Sequence, residues 1–154
     1  MNPDKLLLLR GELDNLDKAA AYLAVSLDRT SGLSGRSDLD AEELERLESM
    51  ASRFARLADL LVQRVMRLVD DLELTPEGGL LDRIQRAEKR GWVHSAQDLV
   101  RIRELRNLVA HEYAADRMAE IYAGISRLAP SLLAVVPRVR AYAEDLAKRF
   151  GSLP

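Results

Sequence analysis

An all-α fold, a bundle of four to six helices in one domain, is what this sequence predicts, and three observations predict it. Leu, Ala, Arg and Glu dominate and β-branched runs are absent, so helix propensity is high throughout. Apolar residues recur at three- and four-residue spacing over long stretches. The breaks between these stretches are short and carry Gly, Ser, Asp or Pro. Short connections favour antiparallel neighbours. At 154 residues the chain spans one ordinary domain and can bury a sizeable core.

The first helix is expected from about Pro3 to about Asp28, with Leu6, Leu9, Leu13, Leu16, Ala20, Leu23 and Leu27 on one side. Thr30 to Ser37 holds Gly32, Gly35 and three serines and reads as a loop. Asp40 is a good N-cap for the second helix, with Glu43 as its capping-box partner. That helix runs to about Asp71 along a seam of Leu44, Leu47, Phe54, Leu57, Leu61, Val65 and Leu68. Its length suits the spine of a bundle or a dimer surface. Thr75 before Pro76 reads as a cap with proline at the first helical position, opening a shorter helix that reaches Arg90 and stops at Gly91. Ser95 and Asp98 form a second expected capping box, for a helix to about Tyr113 or Ala114. Asp116 is expected to cap a final helix, with a kink or break at Pro130 and Pro137.

Composition bounds the chemistry. There is no cysteine, which removes disulfides and thiolate metal sites and fits a reducing cytosol. Two histidines, His94 and His111, exclude a multi-histidine cluster. No run approaches the about 18 apolar residues of a membrane span, so the reading is a soluble, cytoplasmic protein with no membrane contact; no cofactor is expected. Net charge is −2, so the molecule as a whole does not attract nucleic acid. Between Arg83 and Arg106, however, seven Lys or Arg face only Glu88, Asp98 and Glu104. That patch reads either as help for a phosphate or as a solvated helix face.

The segment Leu99 to Tyr113, LVRIRELRNLVAHEY, carries the chemistry. On an ideal helix Leu99, Ile102, Leu105, Val109 and Tyr113 form an apolar arc, and Arg106 falls inside it. A guanidinium there must be paired or face a cleft. Arg103, Asn107 and His111 form a polar strip at its edge. Arg106 and His111 stand about 140° apart, so a phosphate must bridge them, or two subunits must converge. Arginine offers paired donors to a phosphate, histidine moves protons near neutrality, and Asn107 can orient either partner. Each has a plainer reading: Arg106 as an ion-pair partner of Glu43 or Glu45, His111 as a cation at a helix C-terminus, Tyr113 as a core-edge aromatic. His94, beside Trp92 and Val93, reads as a surface or capping residue, and Trp92 as a core anchor.

The run Arg106-Asn107-Leu108-Val109-Ala110-His111-Glu112-Tyr113 resembles the HEPN signature, an Arg and a polar residue followed by His. Four residues between Arg and His, and Tyr two past the His, are similar to the HepT-like ribonuclease toxins, strongest over about Leu80 to Tyr122. The resemblance implies an up-and-down helical bundle that forms a homodimer, with two copies of the motif meeting in a cleft. It implies a metal-independent RNA endonuclease in which His111 moves protons, Arg106 stabilises the transition state and Asn107 orients. Arg103 and Arg101 are the accompanying RNA-binding candidates. It also implies an MntA-type nucleotidyltransferase antitoxin as partner, attaching AMP to Tyr113. The alternative within the same superfamily is a non-catalytic subunit that binds a nucleotide or assists a nucleotidyltransferase.

Overall fold

The computed structural model describes residues 3–75, 78–112 and 115–151, and all regular structure among them is helical. The elements are α1 (Pro3–Arg29), α2 (Ala41–Asp59), a π-helical segment (Leu60–Val65), α3 (Met66–Leu72), α4 (Leu80–Lys89), α5 (Ala96–His111) and α6 (Ala115–Gly151). α2, the π segment and α3 run without interruption, so the expected single long helix is one rod.

Cross-helix contacts give the directions. Ser26 meets Arg53, and Glu12 meets Arg64, so α1 and the α2 rod are antiparallel. Arg140 pairs with Asp17, while Leu6 and Leu9 lie near Ala143 and Ala147, so α6 is antiparallel to α1. Leu105 faces Gly124 and Ile102 faces Val135, which sets α5 against α6 the same way. The core lies between them, built on Leu16, Leu23, Phe54, Leu57, Leu99 and Leu132, each without measurable exposure.

Several boundaries follow from local chemistry. Asp40 accepts from the Glu43 amide at 2.8 Å, and Glu43 Oε1 accepts from the Asp40 amide at 3.2 Å, completing the expected capping box. We expect Asp40→Ala to cost about 1 kcal/mol, read as a lower urea midpoint with an unchanged slope. Gly91, with φ 78°, ends α4 in a Schellman turn: Trp92 N–H reaches the Ala87 carbonyl and Gly91 N–H that of Glu88, each at 3.0 Å.

Other boundaries depart from expectation. Thr75 and Pro76 do not open α4. Pro76 lies outside the described residues, and the helix begins at Leu80, where Asp82 Oδ2 accepts from the Gly79 amide at 3.1 Å. The Ser95–Asp98 box is not the cap that forms on α5. Ser95 Oγ accepts from the Gln97 amide, and Glu88 of α4 reaches over to accept from the Ala96 amide at 3.0 Å. Ser95 is thus the N-cap as expected, and a carboxylate from a neighbouring helix takes the next amide, while Asp98 closes no box. α5 ends at His111, because Glu112 is extended (φ −95°, ψ 135°). α6 starts at Ala115, so Asp116 lies in its first turn rather than before it.

α6 is continuous past Pro130 and Pro137. Neither proline breaks it, since Ala129, Leu132, Val135, Val136 and Val139 are buried around them and core packing outweighs the lost hydrogen bonds. By length and composition α6 is apolar enough to cross a membrane (Arg117–Phe150), though no single apolar run revealed it; its inner face lines the core.

The π segment was not legible from periodicity. In a regular helix Leu68 would share the face of Leu61. The wider π turn delays the face by one residue, so Val69 is fully buried while Leu68 is only partly so.

Candidate functional site

Leu99, Ile102 and Leu105 bury the inner arc of α5, and Val109 packs against the core, as its periodicity requires. Arg103 and Arg106 lie beside that arc, facing the α2 rod where α2 meets the π segment. Asp59, the last residue of α2, receives both. Arg106 donates through Nε to Oδ1 and through Nη2 to Oδ2, each at 2.8 Å. Arg103 donates through Nη1 to Oδ1 at 3.1 Å. The paired, planar geometry is the strong form of this contact, and the hydrogen bond to Asp59 raises the pKa of Arg106 despite partial burial.

Arg106 is therefore an ion-pair partner, as the plainer reading held, but not of Glu43 or Glu45. Glu43 is occupied at the cap of α2 and with Arg36 at 2.9 Å. The α2 rod packs against α5 forty-seven residues from Asp59 to Arg106, which no local pattern encodes. The only sequence signal for Asp59 is a carboxylate bordering the apolar seam between Leu57 and Leu61.

The pair forms one wall of an open cleft of about 590 Å³. Arg56, Asp59, Gln63 and Arg64 line it from the rod, and Arg103 and Arg106 from α5. Arg64 also donates to Glu12 of α1 at 3.1 Å. Sequence reasoning found Arg103 and Arg106 but missed Arg56, Asp59 and Arg64, which sit in another helix and belong to no motif.

Asn107 and His111 do not line this cleft. Both are exposed, and His111 is the last residue of α5. Arg101 is exposed as well. The structure brings Arg103 and Arg106 together through Asp59, and leaves Asn107 and His111 on the outer side of the helix, in keeping with their angular separation. Tyr113, the candidate for modification, lies outside the described residues. His94 is exposed at the rim of a small recess with Asp98 and Arg138.

The basic patch between Arg83 and Arg106 is largely turned inward. Asp70, buried on α3, accepts from Arg86 Nη2 and Arg90 Nη1 at 2.7 Å each, and Arg83 Nε stands 3.9 Å away. With Arg103 and Arg106 on Asp59, five of the seven basic residues are committed to two carboxylates. Burial pushes the Asp70 pKa up, but the hydrogen bonds from Arg86 and Arg90 outweigh it and hold the carboxyl below its ordinary value. Arg90 also lies over the ring of Trp92, 5.1 Å from its centroid. The Trp92 ring meets Tyr142 edge-on at 5.3 Å, making the buried tryptophan a core anchor.

No protein-family model, no curated protein and no solved structure matches the chain.

Proposed function

We propose that this protein is a HepT-like ribonuclease of the HEPN type: a metal-independent RNA endonuclease toxin, acting in the cytoplasm as a homodimer. The observation that carries this reading is the Arg106-Asn107-x3-His111-x-Tyr113 motif, whose Arg106, Asn107 and His111 lie on α5, with Arg106 held by Asp59 beside an arginine-rich cleft and His111 exposed at the helix end.

In the reaction, His111 of one copy removes the proton from a ribose 2′-hydroxyl. The 2′-oxygen attacks the adjacent phosphorus, the bond to the 5′-oxygen breaks, and a second proton, from the imidazolium of the facing copy, passes to that leaving oxygen. Arg106 stabilises the added charge on the phosphate oxygens, and Asn107 orients substrate or imidazole. Arg103 and Arg101 contact the RNA from α5. The products are a 2′,3′-cyclic phosphate and a 5′-hydroxyl. Addition of AMP to Tyr113 by a nucleotidyltransferase antitoxin places a phosphate beside the motif, where it competes with RNA.

A second reading is favoured by one observation. Arg106 spends both of its paired donors on Asp59, and His111 does not share its cleft. This suits a non-catalytic subunit that binds a nucleotide or assists a nucleotidyltransferase. Incubation with mixed cellular RNA in EDTA, beside the His111→Ala variant, separates the two. The ribonuclease reading predicts cleavage by the native chain alone, with cyclic phosphate ends. Binding of ATP or AMP without RNA turnover selects the second reading, and intact RNA with both proteins, on chains shown by mass to lack AMP, ends the first.

A further inference from the structure

The cleft between the α2 rod and α5 holds more positive charge than its own carboxylate accounts for. Arg103 and Arg106 converge on Asp59. On the opposite wall Arg56 is exposed and has no acceptor among the described residues. The Arg64 side chain is 63% exposed, and only one of its nitrogens is engaged by Glu12. In the inner wall, Arg103 Nε is buried without an acceptor. Four guanidinium groups thus border one space around a single carboxylate.

Their spacing says what kind of anion fits. Arg56 and Arg64 are eight positions apart on one rod, which places their backbones roughly 10 Å apart along its axis, a little under the α-helical spacing because of the π segment. With both side chains extended away from the rod, that spacing suits two backbone phosphates of an extended chain with a third between them. Gln63 between them adds a neutral donor, and the π segment carries Gln63 and Arg64 onto the cleft side of the rod. Asp59, in the middle, fixes the Arg103 and Arg106 forks and keeps the floor from being uniformly attractive.

We propose that this cleft is a single-stranded RNA track, in which Arg56 and Arg64 each take a backbone phosphate flanking the one held at Arg106. The proposal rests on the ribonuclease reading for the identity of the strand, but it concerns binding and not cleavage. It assigns binding roles to Arg56 and Arg64, outside the α5 motif. Because they touch only the backbone, they add affinity and no sequence preference.

The test uses a fluorescein-labelled 2′-O-methyl RNA dodecamer, which has no 2′-hydroxyl to attack and so reports binding alone. Anisotropy titrations across a series of salt concentrations compare the native chain with Arg56→Gln, Arg56→Gln/Arg64→Gln and, as a control, Arg29→Gln, an exposed α1 residue away from the cleft. Each lost contact should weaken binding roughly fivefold at 0.1 M salt and flatten the plot of log affinity against log salt by about 0.7. The double variant should therefore lose roughly 25-fold, and the control nothing. Because Arg64 also pairs with Glu12, thermal melts accompany the series, and Arg56→Gln alone carries the test if the double variant melts early. Unchanged affinity and slope in Arg56→Gln overturn the proposal. So does ATP binding that is lost in Arg56→Gln while the dodecamer does not bind, which assigns the cleft to a compact nucleotide. Cleavage of RNA by the native chain with equal dodecamer affinity in all variants removes the track and leaves the ribonuclease reading standing. Dodecamer binding that depends on Arg56, without any cleavage, does the reverse.

Discussion

Asp70→Ala is expected to cost about 3–5 kcal/mol of folding stability, because it strands buried cations and does not merely delete a contact. The carboxylate sits on α3 with its side chain 9% exposed and takes its hydrogen bonds from Arg86 of α4 and from Arg90, the residue that caps its C-terminus. Without it, Arg86 and Arg83 lose their one ion-pair partner among the described residues and keep only the longer-range charges of Asp82 and Asp71, and Arg90 keeps Glu73, at 3.7 Å. Arg83 is already in an unfavourable place: burial first, and Arg67 second, lower its pKa. The cluster joins α3 to α4, so the loss should appear as a lower urea midpoint for the whole domain. A change below about 1 kcal/mol would mean the arginines relax into solvent. The same group gives a pH dependence. Its folded pKa is lowered, so its contribution is fully present above the unfolded value of about 3.9 and is lost as pH falls below that through the folded value. Asp70→Asn should accordingly flatten the fall of stability with acidity below about pH 4, measured by urea titration at successive pH values.

His111→Ala is expected to lower RNA cleavage by about 10²–10⁴-fold while leaving the fold untouched. The two halves of this expectation have different grounds. The cleavage loss follows from the proposed proton transfer. The unchanged stability follows from position: His111 is exposed at the last turn of α5, where truncation shifts stability by no more than about 0.5 kcal/mol. A matched melt with lost cleavage therefore points to chemistry, whereas a lowered melt would point to a structural histidine. Native-rate cleavage by the variant would remove His111 from the mechanism altogether.

Much of the helical layout was legible from the chain because it rests on contacts three or four residues apart. Asp40 with Glu43, the stop at Gly91 and the leucine face of α1 are all of this kind. Where a distant group intervened, local reasoning failed. Ser95 caps α5 as read, but the carboxylate at that end is Glu88 of α4 and not Asp98. Core packing carries α6 without a break across two prolines that were expected to kink or break it. The π segment changes which residue faces inward, and periodicity assumes a regular turn.

The candidate site divides along the same line. The sequence alone placed Arg103, Arg106, Asn107 and His111 on one helix, with Arg106 inside the apolar arc and so in need of a partner, since a helix of known period sets the angles between its own side chains; the structure sets it, half-buried, beside that arc. Packing of the α2 rod against α5 decided the rest. It chose Asp59 as that partner and turned Arg83, Arg86 and Arg90 inward onto Asp70. It also set Arg56 and Arg64 across a cleft from Arg106. Ion pairs form between whichever charges the packed helices bring within a few ångströms, and the packing itself is selected by apolar surface, which is blind to the charges it carries along.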